Sequence, residues 1–322
     1  MLVSPVPRVG SGSSSLQDNV TYVVPLVVGA STGFGHAVAC HALDNGEIVV
    51  ATMRDPRGDT LALKYPDYAK KGKLIVLKMD VTDPLEVASA FAITKKKLGR
   101  IDVVFNNAGR TQSIGEVEQV PEEMGRSLFD TNFWGAVNVS KEAVKYFRQN
   151  TPPGGRLLQN SSGSALQGIP GSAYYCASKA GASSTKAYLI GADSPFKALE
   201  IFTEALASEV DPQWNIRITV IEPGPFNTRV INEHLTSLPP HPAYTDPKLG
   251  TNISRAWMTP TKLRPMAGNV AKGAALFYRL STLNDPPFRL PLHPRVLDRA
   301  RYHIQTLQEG VDGYASWSDE IY

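Results

Sequence analysis

The sequence has few of the features that mark disulfide frameworks, metal ribbons, membrane spans or polyanion binding. Only two of its 322 residues are cysteines, Cys40 and Cys176, and they form no CxxC pair. Neither a disulfide framework nor a zinc site is therefore indicated, and reduced thiols favour a cytoplasmic location. No apolar run approaches the ~20 residues that a membrane helix needs. The net charge of +3, from 33 basic and 30 acidic residues, gives no reason to expect a nucleic-acid partner.

Short apolar runs that alternate with amphipathic stretches are the main pattern of the chain. Such alternation predicts βαβ units, and right-handed crossovers then give a doubly wound parallel sheet, an α/β Rossmann fold. The expected strands cover 23–29, 47–53, 73–79, 101–107, 155–162 and 216–224, and the expected helices cover about 34–45, 59–70, 83–98, 121–149, 173–210 and 268–281.

One domain is expected over 23–322, because neither an internal repeat nor a second hydrophobic core is evident. Residues 1–22 are predicted to be a flexible tail rich in Gly, Ser and Pro. The Pro-rich segment 225–265 is interpreted as a substrate lid. The segment RLPLHPRVLDRARYHIQTLQ is interpreted as leading into a C-terminal helix laid on the same domain.

A glycine-rich turn follows the first apolar run. Glycines let the backbone approach a pyrophosphate, and the N-terminus of the next helix attracts the anion. The spacing is GxxxGxG and not the more familiar GxGxxG, so a plain strand–turn–helix linker is the alternative. The candidate cofactor contacts in this turn are Gly29, Ser31, Thr32, Gly33, Phe34 and Gly35.

The end of the second apolar run should decide which dinucleotide binds. A carboxylate at this position holds a ribose 2′-hydroxyl, whereas an arginine accommodates a 2′-phosphate. Arg54 comes first and Asp55 follows it, which favours NADP(H) over NAD(H). The alternative is that Arg54 is a solvated loop charge.

Tyr175 and Lys179 are four residues apart, and on a helix they share a face. A nearby ammonium is expected to lower the pKa of the tyrosine from its ordinary value of ~10 and so make it an acid–base catalyst. Ser162, at the carboxyl end of the fifth run, could hold a substrate carbonyl. Each residue alone has a plainer reading, as helix surface or turn. Tyr174 is a rival acid, but its spacing turns it away from the face of Lys179.

The glycine turn and the Ser…Tyr-x-x-x-Lys set together resemble the short-chain dehydrogenase/reductase family, from about Val23 to Thr228. The stretches ATMRDP, YCASK, ALASEV and RLPL are most similar to its fungal members. The resemblance implies hydride transfer at an alcohol or ketone carbon and a homodimer or homotetramer. It also implies further site residues: Asp80 and Val81 beside adenine; Asn107, Ala108 and Gly109 steadying the sheet there; Asn132 in a proton relay; Lys179 on the ribose; and Pro223, Gly224 and Thr228 near the nicotinamide.

The sequence departs from the family pattern in two places. Pro25 lies inside the first apolar run, which could weaken this strand or move its start to Leu26. Seventeen residues, 181–197, interrupt the helix that carries Lys179. This helix is expected to stop near Gly181 and to restart at Pro195. The insert could be native or unspliced intron sequence, and a non-catalytic dinucleotide-binding protein is the alternative function.

The substrate is expected to be small and apolar, with a carbonyl or hydroxyl group. Phe226, Trp257 and Met258 are predicted to form an apolar wall beside it. His234, His241 and His293 are scattered through loop-like sequence, so no metal site is expected.

Overall fold

A single parallel sheet organises the chain. The computed structural model describes residues 23–180 and 198–321. Its seven strands lie in the order β3-β2-β1-β4-β5-β6-β7, and every neighbouring pair is parallel. The strands are β1 (Pro25–Val28), β2 (Val49–Met53), β3 (Leu74–Lys78), β4 (Val103–Asn106), β5 (Gly155–Asn160), β6 (Ile216–Pro223) and β7 (Arg289–Leu292).

Helices fill both faces of this sheet and continue beyond it. They are α1 (Gly33–Asp44), α2 (Leu61–Lys64), α3 (Pro66–Lys70), α4 (Pro84–Leu98), α5 (Glu122–Phe129), α6 (Ala136–Arg148), α7 (Ala173–Lys179), α8 (Leu199–Glu209), α9 (Gly250–Trp257), α10 (Pro260–Leu263), α11 (Val270–Ser281) and α12 (Pro294–Asp319). Helices α1 and α11 pack together on one face, and α4 packs against α6 on the other.

The strand order reverses next to β1, which lies between β2 and β4. In open α/β sheets, ligands bind at the carboxyl ends of the strands beside such a switch point. The prediction of a doubly wound Rossmann-type sheet in one domain is therefore confirmed.

Local sequence explains where individual elements begin and end. The Asp83 carboxylate accepts hydrogen bonds from the backbone of Leu85 and Glu86, and Pro84 occupies the first helical position of α4. Gly99 ends the same helix with φ +77°, a left-handed conformation that glycine adopts without strain. Such caps make the boundaries of α4 predictable from sequence.

Several predicted boundaries were wrong in detail. β1 begins at Pro25, which pairs in register with Val103, because proline is tolerated at the first residue of a strand. The helix expected over 59–70 is two short helices, since Pro66 starts the second one. RLPL forms the edge strand β7, and the C-terminal helix begins only at Pro294.

The C-terminal helix also differs from expectation in its packing. Val296 is its one buried residue, and residues 307–321 are all exposed. Helix α12 therefore packs against the described part of the domain only near its N-terminus, and its second half is exposed to solvent.

The predicted tail over 1–22 and the predicted insert over 181–197 lie outside the described residues. The residues on either side of 181–197 are hydrogen-bonded to each other. The backbone N–H of Glu200 donates to the Ala180 carbonyl at 3.1 Å, and that of Ala198 donates to the Ala177 carbonyl at 3.4 Å. The end of α7 and the start of α8 therefore meet directly.

Candidate active site

In the turn after β1, two stretches of backbone lie close together, as a nucleotide-binding turn requires. A Cβ on Gly35 would lie 2.2 Å from the Gly29 carbonyl oxygen, so no larger residue fits there without a shift. Gly29 and Gly33 adopt φ values of +74° and +59°. Thr32 precedes α1 without making a side-chain cap, so the first-turn N–H groups remain available to an anion. The residues present fit a dinucleotide pyrophosphate.

Phe34 has a different role from its neighbours in the turn. Its ring is buried 4.8 Å from the rings of both Phe226 and Phe277, counted between centroids. The side chain belongs to the core, so any cofactor contact by Phe34 is limited to its backbone.

Two exposed arginines, Arg54 and Arg57, follow the end of β2. The Asp55 carboxylate accepts two hydrogen bonds at 2.8 Å from the Arg57 guanidinium, and this contact lowers the pKa of Asp55 to about 2. Arg54 is exposed beside Asp55. The pKa of Asp80 is lowered, because hydrogen bonds from Thr82 and the charge of Arg54 together overcome the rise that burial of the Asp80 carboxyl causes. The carboxylate that could have held a ribose hydroxyl is thus already engaged by Arg57.

Asn107 connects the strands around the switch point. Its amide donates to the carbonyls of Val28 and Gly29, both at 3.2 Å, and its oxygen accepts from Asn160 at 3.0 Å. Ala108 lies against Gly29, where an added Cβ would be 3.0 Å from the Ala108 Cα. Val81 is buried, and its carbonyl accepts a hydrogen bond from Asn138.

Tyr175 and Ser162 are brought together at the carboxyl end of β5. The Ser162 hydroxyl accepts from the Ser164 N–H at 3.1 Å and hydrogen-bonds the Tyr175 phenol. Burial raises the pKa of Tyr175, and the hydrogen bond from Ser162 opposes that rise. Tyr175 is therefore a protonated phenol at neutral pH and able to donate a proton. The Tyr174 ring instead lies against Gly125 of α5.

Lys179 is buried one helical turn further along α7. Its ammonium donates to the Asn160 carbonyl at 2.9 Å. Burial lowers the pKa of Lys179 to about 8, with an opposing effect from the Glu200 carboxylate. The expected lowering of the Tyr175 pKa by Lys179 stays a prediction, because burial of the phenol raises its pKa here and Ser162 is the group that opposes the rise.

Asn132 lies in a π-helical turn, Asp130–Gly135, that joins α5 to α6. Its amide donates to the Arg110 carbonyl at 2.9 Å and the Ser178 hydroxyl at 3.0 Å, and its oxygen accepts from the Arg110 N–H. A Cβ on Gly109 would lie 3.3 Å from both the Asn132 oxygen and the Lys179 ammonium. Asn132, Gly109 and Lys179 therefore converge. Such turns within α-helices often occur at functional sites.

Gln112 is a positioning residue that sequence reasoning missed. It is 3% exposed. Its side-chain oxygen accepts from the Tyr175 N–H at 2.7 Å, and its amide donates to the Gly171 carbonyl at 3.1 Å. The side chain fixes the start of α7 and hence the direction of the phenol. No local pattern marks it, because the contact spans 63 residues.

A buried cluster of carboxylates supports the end of α7. Arg289 forms ion pairs with Glu200, Glu204 and Glu222. Burial raises the pKa of Glu200 to about 8. The Ser161 hydroxyl lies 2.5 Å from the Glu200 carboxyl and 2.8 Å from the Lys179 carbonyl. One hydroxyl hydrogen cannot serve both contacts, so a protonated Glu200 that donates to Ser161 satisfies the pair.

The loop after β6 approaches the glycine turn. The Gly224 N–H donates to the Leu292 carbonyl at 3.0 Å, which ties the loop after Pro223 to β7. A Cβ on Gly33 would lie 3.7 Å from the Thr228 side chain. The loop that carries Thr228 therefore lies next to the glycine turn.

The expected apolar wall is wrong for Phe226, and its other members stay a prediction. Phe226 is in the core against Phe34 and cannot face a substrate. Trp257 is half exposed, with Lys262 over its ring. A pocket next to the start of α7 has a lining of apolar, polar and acidic residues: Glu116, Val117, Glu118, Ile169, Pro170, Gly171, Ala173, Tyr244 and Thr251.

Hydrogen bonds join the segment 225–265 to Glu116 and Glu118, which line this pocket. Arg255 makes two 2.6 Å hydrogen bonds to the buried Glu116 carboxylate, and the Tyr244 hydroxyl donates to Glu118 at 2.6 Å. Within the described residues, no cluster of three His, Cys, Asp or Glu side chains could hold a metal ion. No helix over 23–180 or 198–321 is long and apolar enough to span a bilayer.

Comparison with known proteins defines the class. The family model described as short chain dehydrogenase matches residues 23–189. An uncharacterized oxidoreductase of Schizosaccharomyces pombe is 32% identical over 94% of this chain and 92% of its own length. Oxidoreductase calM of Penicillium decumbens is 33% identical over 83% of this chain and 82% of its own length. The chain therefore belongs to the short-chain dehydrogenase family and is an oxidoreductase of that family.

Solved structures share the fold. A short-chain dehydrogenase from Streptomyces avermitilis superposes with a TM-score of 0.75 at 27% identity, covering 94% of this chain and 99% of that one. Two more distant structures contain cofactors. A reductase from Brucella melitensis is complexed with NADH (20% identity, TM-score 0.59, 83% and 95% covered), and a dehydrogenase from Burkholderia cenocepacia is in complex with NADP (19%, 0.62, 90% and 96%).

Proposed function

We propose that the protein is an NADP(H)-dependent reductase that acts on the carbonyl group of a small apolar substrate. The observation that carries the catalytic part is the interaction between the half-buried Tyr175 phenol and the Ser162 hydroxyl at the carboxyl end of β5. A bound nicotinamide supplies or accepts the hydride. Tyr175, Ser162, Lys179 and Asn132 supply the proton chemistry and the placement.

Each of these residues has a distinct task. Tyr175 donates its proton to the substrate oxygen, because burial keeps the phenol protonated at neutral pH. Ser162 orients that oxygen. Lys179 is held by the Asn160 carbonyl, where its ammonium can reach a ribose hydroxyl. Asn132 lies beside Lys179 at Gly109 and hydrogen-bonds Ser178, and we assign it to the route by which a proton returns to the site.

The glycine turn, the Asn107 bridge and the Thr228 loop would hold the cofactor. Asp55 is bound by Arg57, whereas Arg54 is exposed at the end of β2. The paired Asp55 carboxylate beside the exposed Arg54 guanidinium suits a ribose 2′-phosphate better than a ribose without that phosphate. This contrast supports NADP(H).

The substrate class follows from the pocket beside α7. Ile169, Pro170 and Val117 line it with apolar surface, and Ala173 brings it within two residues of the phenol. An apolar carbonyl compound fits against this apolar part of the lining, while Glu116, Glu118 and Tyr244 form its polar part.

Replacing Arg54 by alanine tests the cofactor assignment. We expect the dissociation constant of NADPH to rise by about 10- to 100-fold, because a charge-assisted hydrogen bond of ~1.5–3 kcal/mol is lost. The NADH constant should stay within about threefold. Fluorescence titration of both nucleotides measures the difference. Arg126→Ala, which removes an exposed guanidinium far from β2, is the control. Equal weakening of NADPH and NADH would contradict the assignment.

The alternative of a non-catalytic dinucleotide-binding protein was based on Pro25 and on the insert over 181–197. Pro25 starts an intact strand, and α7 and α8 meet directly across the insert. These observations favour the enzyme.

A further inference from the structure

Residues 112–118, here called the connecting segment, pass beside the start of α7. The Gln112 amide and the Gly115 N–H both donate to the Gly171 carbonyl at 3.1 Å. The Gln112 oxygen accepts from the Tyr175 N–H at 2.7 Å. The connecting segment therefore holds both the loop before α7 and the first turn of the helix that carries the phenol.

The other side of the connecting segment is joined to residues 225–265. The Ile114 N–H donates to the Thr236 carbonyl at 2.9 Å, and the Leu238 N–H donates to the Ile114 carbonyl at 2.8 Å. The hydroxyls of Ser113 and Thr236 lie 2.6 Å apart. These contacts form a short parallel β-bridge. The connecting segment thus lies between the segment 225–265 and α7.

Helix α9 and the loop before α7 are also closely packed. Gly171 adopts φ +83°, and a Cβ there would lie 2.7 Å from the Ile114 side chain and 3.2 Å from that of Thr251 in α9. A Cβ on Gly250, the first residue of α9, would lie 2.7 Å from Pro170. Because these contacts leave little space, α9 cannot move towards the loop before α7 without displacing it.

A buried ion pair fixes the connecting segment to α9. Both terminal nitrogens of Arg255 donate to the Glu116 carboxylate at 2.6 Å, and the Glu116 side chain is only 1% exposed. Arg255 also donates to the Asn252 oxygen at 3.1 Å. The Asn252 amide in turn donates to the Tyr244 carbonyl at 2.8 Å, so residues of the same segment orient the guanidinium. The contact with Arg255 lowers the pKa of Glu116 to about 2, and the pair is ionised at neutral pH.

Stability alone gives little reason to bury this pair. Taking two charges out of water carries a large desolvation penalty, and apolar residues of similar volume often stabilise a fold as well or better. A two-pronged contact between a guanidinium and a carboxylate instead fixes the relative orientation of the elements that carry them. Here those elements are α9 and the connecting segment.

We propose that Glu116 and Arg255 are positioning residues that set the direction of the Tyr175 phenol. The ion pair holds the connecting segment, which holds the start of α7 through Gln112 and Gly171. Neither Glu116 nor Arg255 is assigned a proton-transfer step. The kinetic consequence of this arrangement rests on the proposed function, whereas the placement of the ring can be measured without turnover.

Fluorine NMR of the full chain labelled with 3-fluorotyrosine tests the placement. The Tyr175 resonance is the one that is missing from Tyr175→Phe. We expect this resonance to shift or broaden in Arg255→Met, because the connecting segment is no longer fixed to α9. Arg301→Met removes an exposed ion pair with Asp298 and is the control, in which the resonance should be unchanged. An unchanged Tyr175 resonance in Arg255→Met would overturn the proposal.

Steady-state kinetics tests the consequence for catalysis, with the ketone or aldehyde that the unmodified enzyme reduces fastest. We expect kcat of Arg255→Met to fall by about 10- to 100-fold, because a misplacement of about 1 Å can cost 100-fold in rate. Arg255→Lys keeps the charge without the two-pronged contact, and its kcat should lie between those of Arg255→Met and the unmodified enzyme. A raised KM with an unchanged kcat would show that the pair only shapes the pocket wall, which contradicts the proposal.

The failure of this inference can be distinguished from the failure of the proposed function. Should Arg255→Met not fold, Glu116→Gln combined with Arg255→Gln takes its place, because it leaves no unpaired charge in the interior. If the Tyr175 resonance moves while the unmodified chain reduces no carbonyl compound, the positioning is supported and the proposed function is wrong. If Tyr175→Phe abolishes turnover while Arg255→Met retains both kcat and the resonance, the proposed function stands and the positioning role is wrong.

Discussion

The variant Tyr175→Phe is expected to lose turnover by about 10²- to 10⁴-fold, the usual contribution of a positioned proton donor. The raised pKa keeps the phenol protonated, so it acts as the acid in carbonyl reduction, and removal of its oxygen leaves the substrate oxygen without a proton source. The ring remains and continues to fill its place. NADPH binding should therefore change by less than about threefold. Steady-state NADPH oxidation with a panel of ketones and aldehydes, together with nucleotide titration, measures both quantities.

The chain supplies a matched control in the adjacent tyrosine. Tyr174 packs against Gly125, away from Ser162, and Tyr174→Phe should retain turnover within about threefold. If Tyr175→Phe reduces a carbonyl as fast as the unmodified enzyme, Tyr175 is not the acid and the proposed mechanism is wrong.

The second large effect is expected at the buried ion cluster. Arg289→Met should lower the free energy of unfolding by about 3–5 kcal/mol at pH 8.5, because breaking a buried pair leaves carboxylates without a cation. Glu222 is 1% exposed and Glu200 is fully buried, so neither carboxylate can turn to water. Denaturant unfolding followed by circular dichroism measures the loss.

The pH dependence of this loss has a definite sign. The pKa of Glu200 is raised to about 8 in the folded chain. Its contribution to stability is therefore complete below its ordinary pKa and declines as the pH rises through about 8. The Arg289→Met defect should be smaller at pH 5.5 than at pH 8.5. Adding Glu222→Gln should restore part of the stability.

An exposed ion pair provides the comparison for Arg289→Met. Arg126 pairs with Glu122 at the surface, and Arg126→Met should cost no more than about 1 kcal/mol. A comparable small loss for Arg289→Met would show that the cluster contributes little to stability.

The parts of the fold that sequence could predict are those encoded locally. The β-branched runs specified six of the strands, and Asp83, Pro84 and Gly99 marked the ends of α4. β7 was not predicted from the sequence, because RLPL is short and contains both arginine and proline. Only its pairing with β6 makes it a strand. The π-helical turn at Asn132 has no sequence hallmark.

Sequence could propose members of the candidate site but not their electrostatics. Spacing alone identified Ser162, Tyr175 and Lys179 as candidates. The direction of the Tyr175 pKa depends on how deeply the phenol is buried, which tertiary packing decides. Glu200 resembled any glutamate of an amphipathic helix, and its contact with Arg289 spans 89 residues. Gln112 was missed for the same reason.

The hydrogen bonds that join Ala177 and Ala180 to the start of α8 have a consequence for engineering. Because Ala180 and Glu200 are hydrogen-bonded to each other, a flexible segment grafted between α7 and α8 closes a loop whose entropic cost rises by only about 0.6 kcal/mol for each doubling of its length. This junction is a natural place to graft a fluorescent reporter or an affinity tag, with the ammonium of Lys179 still anchored by Asn160.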